Sequence, residues 1–316
     1  MISFSTIVPL KDEEKSIPVL YGELIQVFNE LNKPYELIFV DDGSIDDSCN
    51  VLVNLAKKDK NIRIIKFRAN FGKSAALSAG FQQAKGNIVI MLDADLQDDP
   101  HEIPKLLRKL DEGYDLVSGW RHKRTDSIIK KASSFLFNTG TSFISGEKFH
   151  DLNCGLKAMK KNTAGQLNLH GELHRFIPVL AVKKKFKVTE VKVNHRARQF
   201  GYSKYGNLGL GRSWKGIIDL FTAIFVTDFS TKPAHFFGGI GITFFVIGFI
   251  MDGYVTYLKV TIGNTQGRIP LLLAGILFML IGIQLISTGL IAEMIAHYYF
   301  DQKRNSEQLQ EQASTT

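Results

Sequence analysis

The sequence predicts an α/β domain with a mostly parallel sheet, followed by two membrane-spanning helices. Three observations predict it. Apolar, β-branched runs alternate with segments of helical period from the first residues onward. Two long, nearly uncharged stretches lie beyond Lys232, and a pair of carboxylates, Asp93 and Asp95, closes one of the apolar runs.

Taken in order, residues 2–10, 35–40, 62–67, 88–92 and 116–118 read as strands, and 16–31, 46–57 and 74–83 between them read as helices. Strands that alternate with helices pair in parallel, because each crossover helix returns the chain to the same end of the sheet. From 118 to 172 the pattern is irregular, as expected of loops laid over a sheet, and 186–193 is a later strand of alternating pattern. Trp214, Ile217, Ile218, Phe221, Ile224 and Phe225 then recur at helical spacing, with Arg212, Lys215 and Asp219 on other faces. Such a helix either lies in the membrane interface or packs on the domain core.

Residues 236–258 and 269–292 are each long enough to cross a hydrocarbon layer, which needs roughly 20 apolar residues in a helix. Asp252 is the one acid within them, expected near the far interface. The boundaries that follow are a main domain at 1–205, a juxtamembrane amphipathic segment at 206–232, a hairpin at 233–298 and a polar, unstructured tail at 299–316. The first residues carry no basic region and apolar run of a cleavable leader. Cys49 and Cys154 are too few for a disulfide framework and fit a reducing compartment.

The chain has 316 residues and a formal net charge of +8, with basic clusters at 121–124, 130–131, 183–185 and 196–198. Next to a membrane hairpin, such clusters suit lipid head groups and substrate phosphates better than nucleic acid. Lys232, Lys303 and Arg304 flank the hairpin on one side against Lys259 and Arg268 on the other, a weak orientation signal.

The chemistry is concentrated at strand ends. Asp93-Ala-Asp95-Leu-Gln97 follows the fourth strand, where an open α/β sheet places its ligands and where a hard divalent cation finds oxygen donors. Pro9-Leu-Lys-Asp-Glu13, Asp41-Asp42-Gly-Ser and Arg68-Ala-Asn-Phe-Gly-Lys73 follow the first three strands and open toward the same edge. Carboxylates there can accept hydrogen bonds from a nucleobase, and Lys or Arg can neutralise a diphosphate.

With these motifs in this order, the chain resembles the family 2 glycosyltransferases, specifically the polyprenyl-phosphate type of the dolichol-phosphate mannose or glucose synthases. The resemblance also rests on Asn70-Phe-Gly-Lys73 with Ala79-Gly80, on 151–157, on Gly171-Glu-Leu-His-Arg-Phe176, on 196–205 and on the terminal hairpin. It implies a nucleotide-sugar-binding, Rossmann-like GT-A domain with a mixed sheet, a divalent metal (Mg2+ or Mn2+), and inverting transfer of one sugar from a UDP- or GDP-linked donor to polyprenyl phosphate. It also implies a multi-pass protein with the domain and both termini on the cytoplasmic face, assembled as a homo-oligomer, with a tetramer as the form the resemblance suggests. Pro9, Glu13 and Asp42 then correspond to nucleoside contacts, Lys73 to a donor-phosphate contact, Asp93 to donor positioning, and Asp95 with Gln97 to the metal and diphosphate. Arg121, Arg124, Arg196 and Ser203 are candidates for the acceptor or a phosphate. Glu172, His174 and Arg175 either line the acceptor path or form a structural polar cluster. Two departures stand out: Leu10-Lys-Asp12 replaces the Asn that many relatives carry after the first strand, and some relatives place their acid where this chain has Cys154-Gly155 rather than at Asp151.

A phosphate monoester with a second pKa near about 6 is already largely dianionic at neutral pH, so this acceptor needs no protein base. The site instead needs cations to bring two anions together, which points to Arg198 and Lys204, with Asp151 as the base of the competing scheme. A processive polysaccharide synthase would share the domain, but its Gln-x-x-Arg-Trp motif is missing. A silent nucleotide-sugar-binding scaffold would not require the acid pair. The glycines of 206–211 are in the wrong order and context for a dinucleotide fingerprint.

Overall fold

The computed structural model describes residues 2–122, 149–200, 232–263 and 267–315. The chain divides into two compact units, 1–223 and 224–316.

The first unit is built on a seven-stranded sheet. Its strands are β1 (Phe4–Leu10), β2 (Tyr35–Asp41), β3 (Ile62–Lys66), β4 (Ile88–Met91), β5 (Leu116–Arg121), β6 (Lys157–Lys160) and β7 (Val188–Val193), in the spatial order β3-β2-β1-β4-β6-β5-β7. β1 pairs in parallel with β2 on one side and β4 on the other, while β6 runs antiparallel to both β4 and β5. The chain therefore reverses its direction of progress between β1 and β4, and a crevice opens there at the carboxyl ends of the strands. All seven positions of β1 are buried, as is expected of a central strand covered on both faces.

The helices follow from their apolar stripes. In α1 (Ser16–Leu31) Ile17, Leu20, Leu24, Val27 and Phe28 are buried at helical spacing, and Asn32 ends the helix in a left-handed conformation. α2 (Ser48–Lys58) and α3 (Lys73–Gln83) follow β2 and β3. Gly80 lets α3 approach the sheet, since any side chain there would run into Ile7. α4 (Ile103–Asp111) buries Ile103, Leu106, Leu107 and Leu110 and turns its charged residues outward. α5 (Lys161–Gln166) and α6 (Ile177–Lys183) are short connectors.

The first four predicted strands and three predicted helices lie within two residues of those observed. The stretch 118–172, read as irregular, contains β6 and α5 among its described residues, and β5 extends to Arg121. The amphipathic segment at 206–232 lies outside the described residues, apart from Lys232.

In the second unit, α7 (Pro233–Ile262) and α8 (Ile269–Thr315) pack side by side, and each holds an apolar stretch long enough to cross a membrane. Large apolar side chains such as Ile242, Phe249, Leu280 and Ile291 face outward along both, which suits lipid and not water. Glycines carry the contact: Gly241 meets Gly282, and Gly248 meets Gly275, so closely that no Cβ would fit between the backbones. Both helices exceed the predicted spans, and α8 continues as helix through the tail expected to be unstructured. Asp252 is not at the helix end. It lies ten residues before Ile262, against Gly275, and among the described residues its buried Oδ1 has no hydrogen-bond donor.

Candidate active site

The crevice between β1 and β4 gathers Glu13, Lys73, Asp93, Asp95, Gln97 and Arg198. Backbone geometry after β4 fixes the centre of it. Leu96 holds a left-handed conformation (φ 62°) that costs a non-glycine residue energy, and its fully buried side chain keeps it there. The sharp turn this makes lets the Gln97 N–H donate to Asp95 Oδ1 at 3.1 Å. Asp93 and Asp95 thus both stand at the carboxyl end of β4.

Each acid of the pair meets its own cation. Lys73, the first residue of α3, donates from Nζ to Asp93 Oδ1. Burial alone would lower Lys73 and raise Asp93, but their mutual charge and hydrogen bond win, so both remain ionised. Arg198 reaches Asp95 from the segment after β7, with Nη2 2.6 Å from Oδ2 and Nη1 3.6 Å from Glu13 Oε1. Burial, and after it the charge of Asp93, raise Asp95 in spite of this guanidinium, and the three acids Glu13, Asp93 and Asp95 outnumber the two cations Lys73 and Arg198, an anionic excess. Arg198 is brought there by a short pairing of chain segments. His195 bridges to Asp98, and the Arg196 N–H donates to the Gln97 carbonyl at 2.9 Å.

Glu13 is preset as well. Its N–H donates to Ser48 Oγ at 2.8 Å and its carboxylate accepts from Ser16 Oγ at 2.7 Å. Pro9 is buried within β1 beside Val40 of β2. Asp42 accepts from the Phe71 and Gly72 N–H groups at 2.7 and 2.9 Å, which ties down the loop entering α3. Its neighbour Asp41 keeps a buried Oδ2 without a donor among the described residues.

Other predicted residues pair away from this centre. Arg121 and Asp151 form a two-pronged ion pair at 2.6 and 2.8 Å, with a further bond from the Arg121 N–H at 3.2 Å. Burial opposes the Arg121 charge, but Asp151 holds it well above its ordinary range. Arg196 binds Glu23 at 2.7 Å and Asp99 at 2.6 Å. With His101, those two acids form a group whose ligand atoms lie within 4.8 Å of one another. Arg196 already supplies its cation, and the group is separate from the Asp93–Asp95 pair. Arg124, Ser203 and Lys204 lie outside the described residues.

Two features, Asp98 and Lys157, escape sequence reasoning, and His174, named there as acceptor path or structural cluster, takes a defined place. Asp98 is buried beside Asp93, where a side chain on Gly155 would collide with both acids, and burial with the charge of Asp93 pushes it up to about 7. Its only signal was the acidic run 98–99, which also reads as a helix cap. His174 sits against the start of α3. Ser74 Oγ accepts from the His174 backbone N–H and lies within hydrogen-bond reach of Nδ1, both at 3.1 Å, so one hydroxyl joins the backbone and the ring of the same residue. Burial and the charge of Lys73 lower His174 to about 3, so it is neutral. Lys157 is buried in β6, with its ammonium on the carbonyls of Leu152 and Cys154 and its pKa lowered by burial.

Such a crevice can hold a dianionic ligand and a hard cation together, which is the requirement of sugar transfer from a nucleotide diphosphate. The profile of "Glycosyl transferase family 2" matches residues 5–185, and the chain belongs to that family. Among curated proteins, it is 35% identical over 304 residues to dodecaprenyl-phosphate galacturonate synthase of Rhizobium johnstonii, covering 95% of this chain and 89% of that one. It is 34% identical over 301 residues to undecaprenyl-phosphate 4-deoxy-4-formamido-L-arabinose transferase of Photorhabdus laumondii, covering 94% and 90%. Among solved structures, mannosyl-3-phosphoglycerate synthase from Rubrobacter xylanophilus superposes with a TM-score of 0.57 at 15% identity, over 71% of this chain and 74% of that one. Glucosyl-3-phosphoglycerate synthase from Mycobacterium tuberculosis, solved with Mn2+, UDP-glucose and phosphoglyceric acid, gives 0.53 at 19% identity over 71% and 80%. These structures share the GT-A-like fold expected from the sequence.

Proposed function

We propose that the protein is an inverting glycosyltransferase that moves one sugar from a UDP- or GDP-linked donor to polyprenyl phosphate at the cytoplasmic membrane face. The observation that carries this reading is the convergence of Lys73, Asp93, Asp95 and Arg198 at the β1–β4 crevice, in a chain that matches polyprenyl-phosphate sugar transferases along nearly all of its length.

The donor set suits a hard divalent cation such as Mg2+ or Mn2+: Asp95 and Gln97 offer oxygen ligands, and the anionic excess at Asp95 favours additional positive charge there. Such an ion, when bound, neutralises the leaving diphosphate. Lys73 holds Asp93 in place through the reaction, while Glu13, Asp42 and Pro9 shape the nucleoside end. Arg198, with Lys204, positions the lipid phosphate and offsets its repulsion from the donor. A phosphate oxygen of the lipid attacks the anomeric carbon as the bond from that carbon to the nucleotide diphosphate breaks, with inversion. No proton has to be removed, so the free alcohol is not a substrate.

The test is incubation of the detergent-purified protein with polyprenyl phosphate, free polyprenol and a panel of UDP- and GDP-sugars, with products read by mass. A glycosylated lipid phosphate is expected from one donor class, lost in excess chelator. Comparable glycosylation of the free alcohol, or full turnover in chelator, would overturn the corresponding half of the reading.

A further inference from the structure

Arg198 holds the carboxylate that a divalent cation would take. Its Nη2 lies 2.6 Å from Asp95 Oδ2, the carboxylate oxygen that does not already accept from the Gln97 N–H, and Nη1 faces Glu13. A hard cation binds carboxylate oxygen at about 2.0–2.6 Å. A metal and a guanidinium on that oxygen would stand only about 4 Å apart, two positive groups that repel and so compete for it. Lys73 plays no such part: it is built into the first turn of α3 and engages the other acid, Asp93.

We infer that Arg198 is the resident counter-ion of the metal site, exchanged for the metal when the ion arrives and thereby released to bind a phosphate. This rests on the reading above, in which Asp95 is a metal ligand. The local architecture allows the exchange without unravelling the chain. His195 and Arg196 stay paired with Asp98 and Gln97, and Arg196 is anchored to Glu23 and Asp99, so only the Arg198 side chain has to swing. Arg198 partly offsets the charge of Glu13 and Asp95 before substrate binds, while Lys73 offsets Asp93. The exchange also imposes an order. The guanidinium that would hold the lipid phosphate is tied up until metal has entered, so productive acceptor binding follows metal binding.

The test is direct Mn2+ binding to the full-length protein in detergent, followed by electron paramagnetic resonance or calorimetry with no donor present. Arg198→Gln is expected to bind Mn2+ about three- to tenfold more tightly than the parent, since the metal no longer competes with a partly buried ion pair. Its turnover should fall because the phosphate partner is gone. Unchanged or weaker Mn2+ binding by Arg198→Gln, in a protein whose thermal melt matches the parent, overturns the exchange. Arg198→Lys provides a second variant if Gln disturbs the fold; its shorter, one-point ion pair should give an intermediate affinity, and an affinity at or below the parent's overturns the exchange as well. Asp95→Asn separates the two ideas. Loss of Mn2+ binding in that variant with no effect of Arg198→Gln sinks only the exchange, whereas undiminished Mn2+ binding by Asp95→Asn sinks the metal assignment itself.

Discussion

Replacing Asp151 by Asn should unsettle the fold more than the chemistry. Arg121 and Asp151 are nearly withdrawn from solvent, at 12% and 3% exposure, and they meet through two side-chain bonds at 2.6 and 2.8 Å with a backbone N–H adding a third. An amide keeps one acceptor oxygen and turns its NH2 toward a guanidinium N–H. One donor of Arg121 then loses its partner, and a full positive charge remains buried without its counter-charge. Breaking a buried pair on one side costs about 3–5 kcal/mol. In a unit of this size, that lowers the melting temperature by roughly 10 °C. Chemical and thermal unfolding of the detergent-solubilised protein measure it, and turnover should be normalised to the folded fraction. Replacing both partners with apolar residues, Arg121→Met with Asp151→Leu, should recover most of the loss, because no unpaired charge is left. If Asp151→Asn melts within about 1 kcal/mol of the parent and yet loses more than about a thousandfold in turnover, Asp151 is a catalytic base and this account fails.

Four other outcomes follow from the same geometry. Asp98 has a folded pKa near 7, raised above its unfolded value, so its contribution is fully present below the unfolded value and is lost as pH rises through about 7. Unfolding measured at pH 5 and pH 8 should show Asp98→Asn gaining on the parent at the higher pH, by on the order of 2–4 kcal/mol; an identical pH dependence in the two proteins counts against it. Gly155→Ala should cut kcat by about a hundredfold and also lower the melting temperature, since its methyl would lie about 2.8 Å from Asp93 and press on buried Asp98; kcat of the folded fraction beside a thermal melt checks it. Gly275→Ala should loosen the helical hairpin because its methyl would meet both the Asp252 carboxyl and the Gly248 carbonyl, and Asp252→Ala should restore only the side-chain part of the loss; additive losses in that double-mutant cycle would argue against the contact with Asp252. For topology, an impermeant thiol reagent applied to intact cells should label a cysteine placed at Asn264 and spare one at Ser314, and the reverse pattern would invert the proposed orientation.

The parts of the fold that were legible are those written locally. β1, β2 and β4 read as largely apolar runs because buried parallel strands have no solvent face, and α1 shows its apolar stripe in full. β6 was not legible. Lys157-Ala-Met-Lys160 has a charge at each end, and nothing nearby announces that the first lysine is buried against the carbonyls of Leu152 and Cys154. The same division runs through the site. The turn from Asp93 to Gln97 is a local motif and was read as one, whereas Arg198 meets Asp95 across 103 residues and Arg121 meets Asp151 across 30.

This difference matters for function, because a sequence displays charges singly while a fold spends them in pairs. Arg121 and Asp151 stand in the sequence as two independent candidates, one for phosphate and one for proton transfer, yet each satisfies the other and neither is offered to a ligand without breaking a buried bond. Arg196 likewise is committed to Glu23 and Asp99. Arg198 is also paired, but its partner is an acid of the crevice itself, and a ligand entering there competes for that bond directly, whereas Lys73 is held on Asp93 by its place in the first turn of α3. Among the described candidates, exchangeability of the ion pair thus separates residues that answer to substrate from residues that hold the domain together. Arg198 with Asp95 meets that criterion, since both side chains are partly open to solvent and the guanidinium reaches in from the segment after β7 and not from a helix.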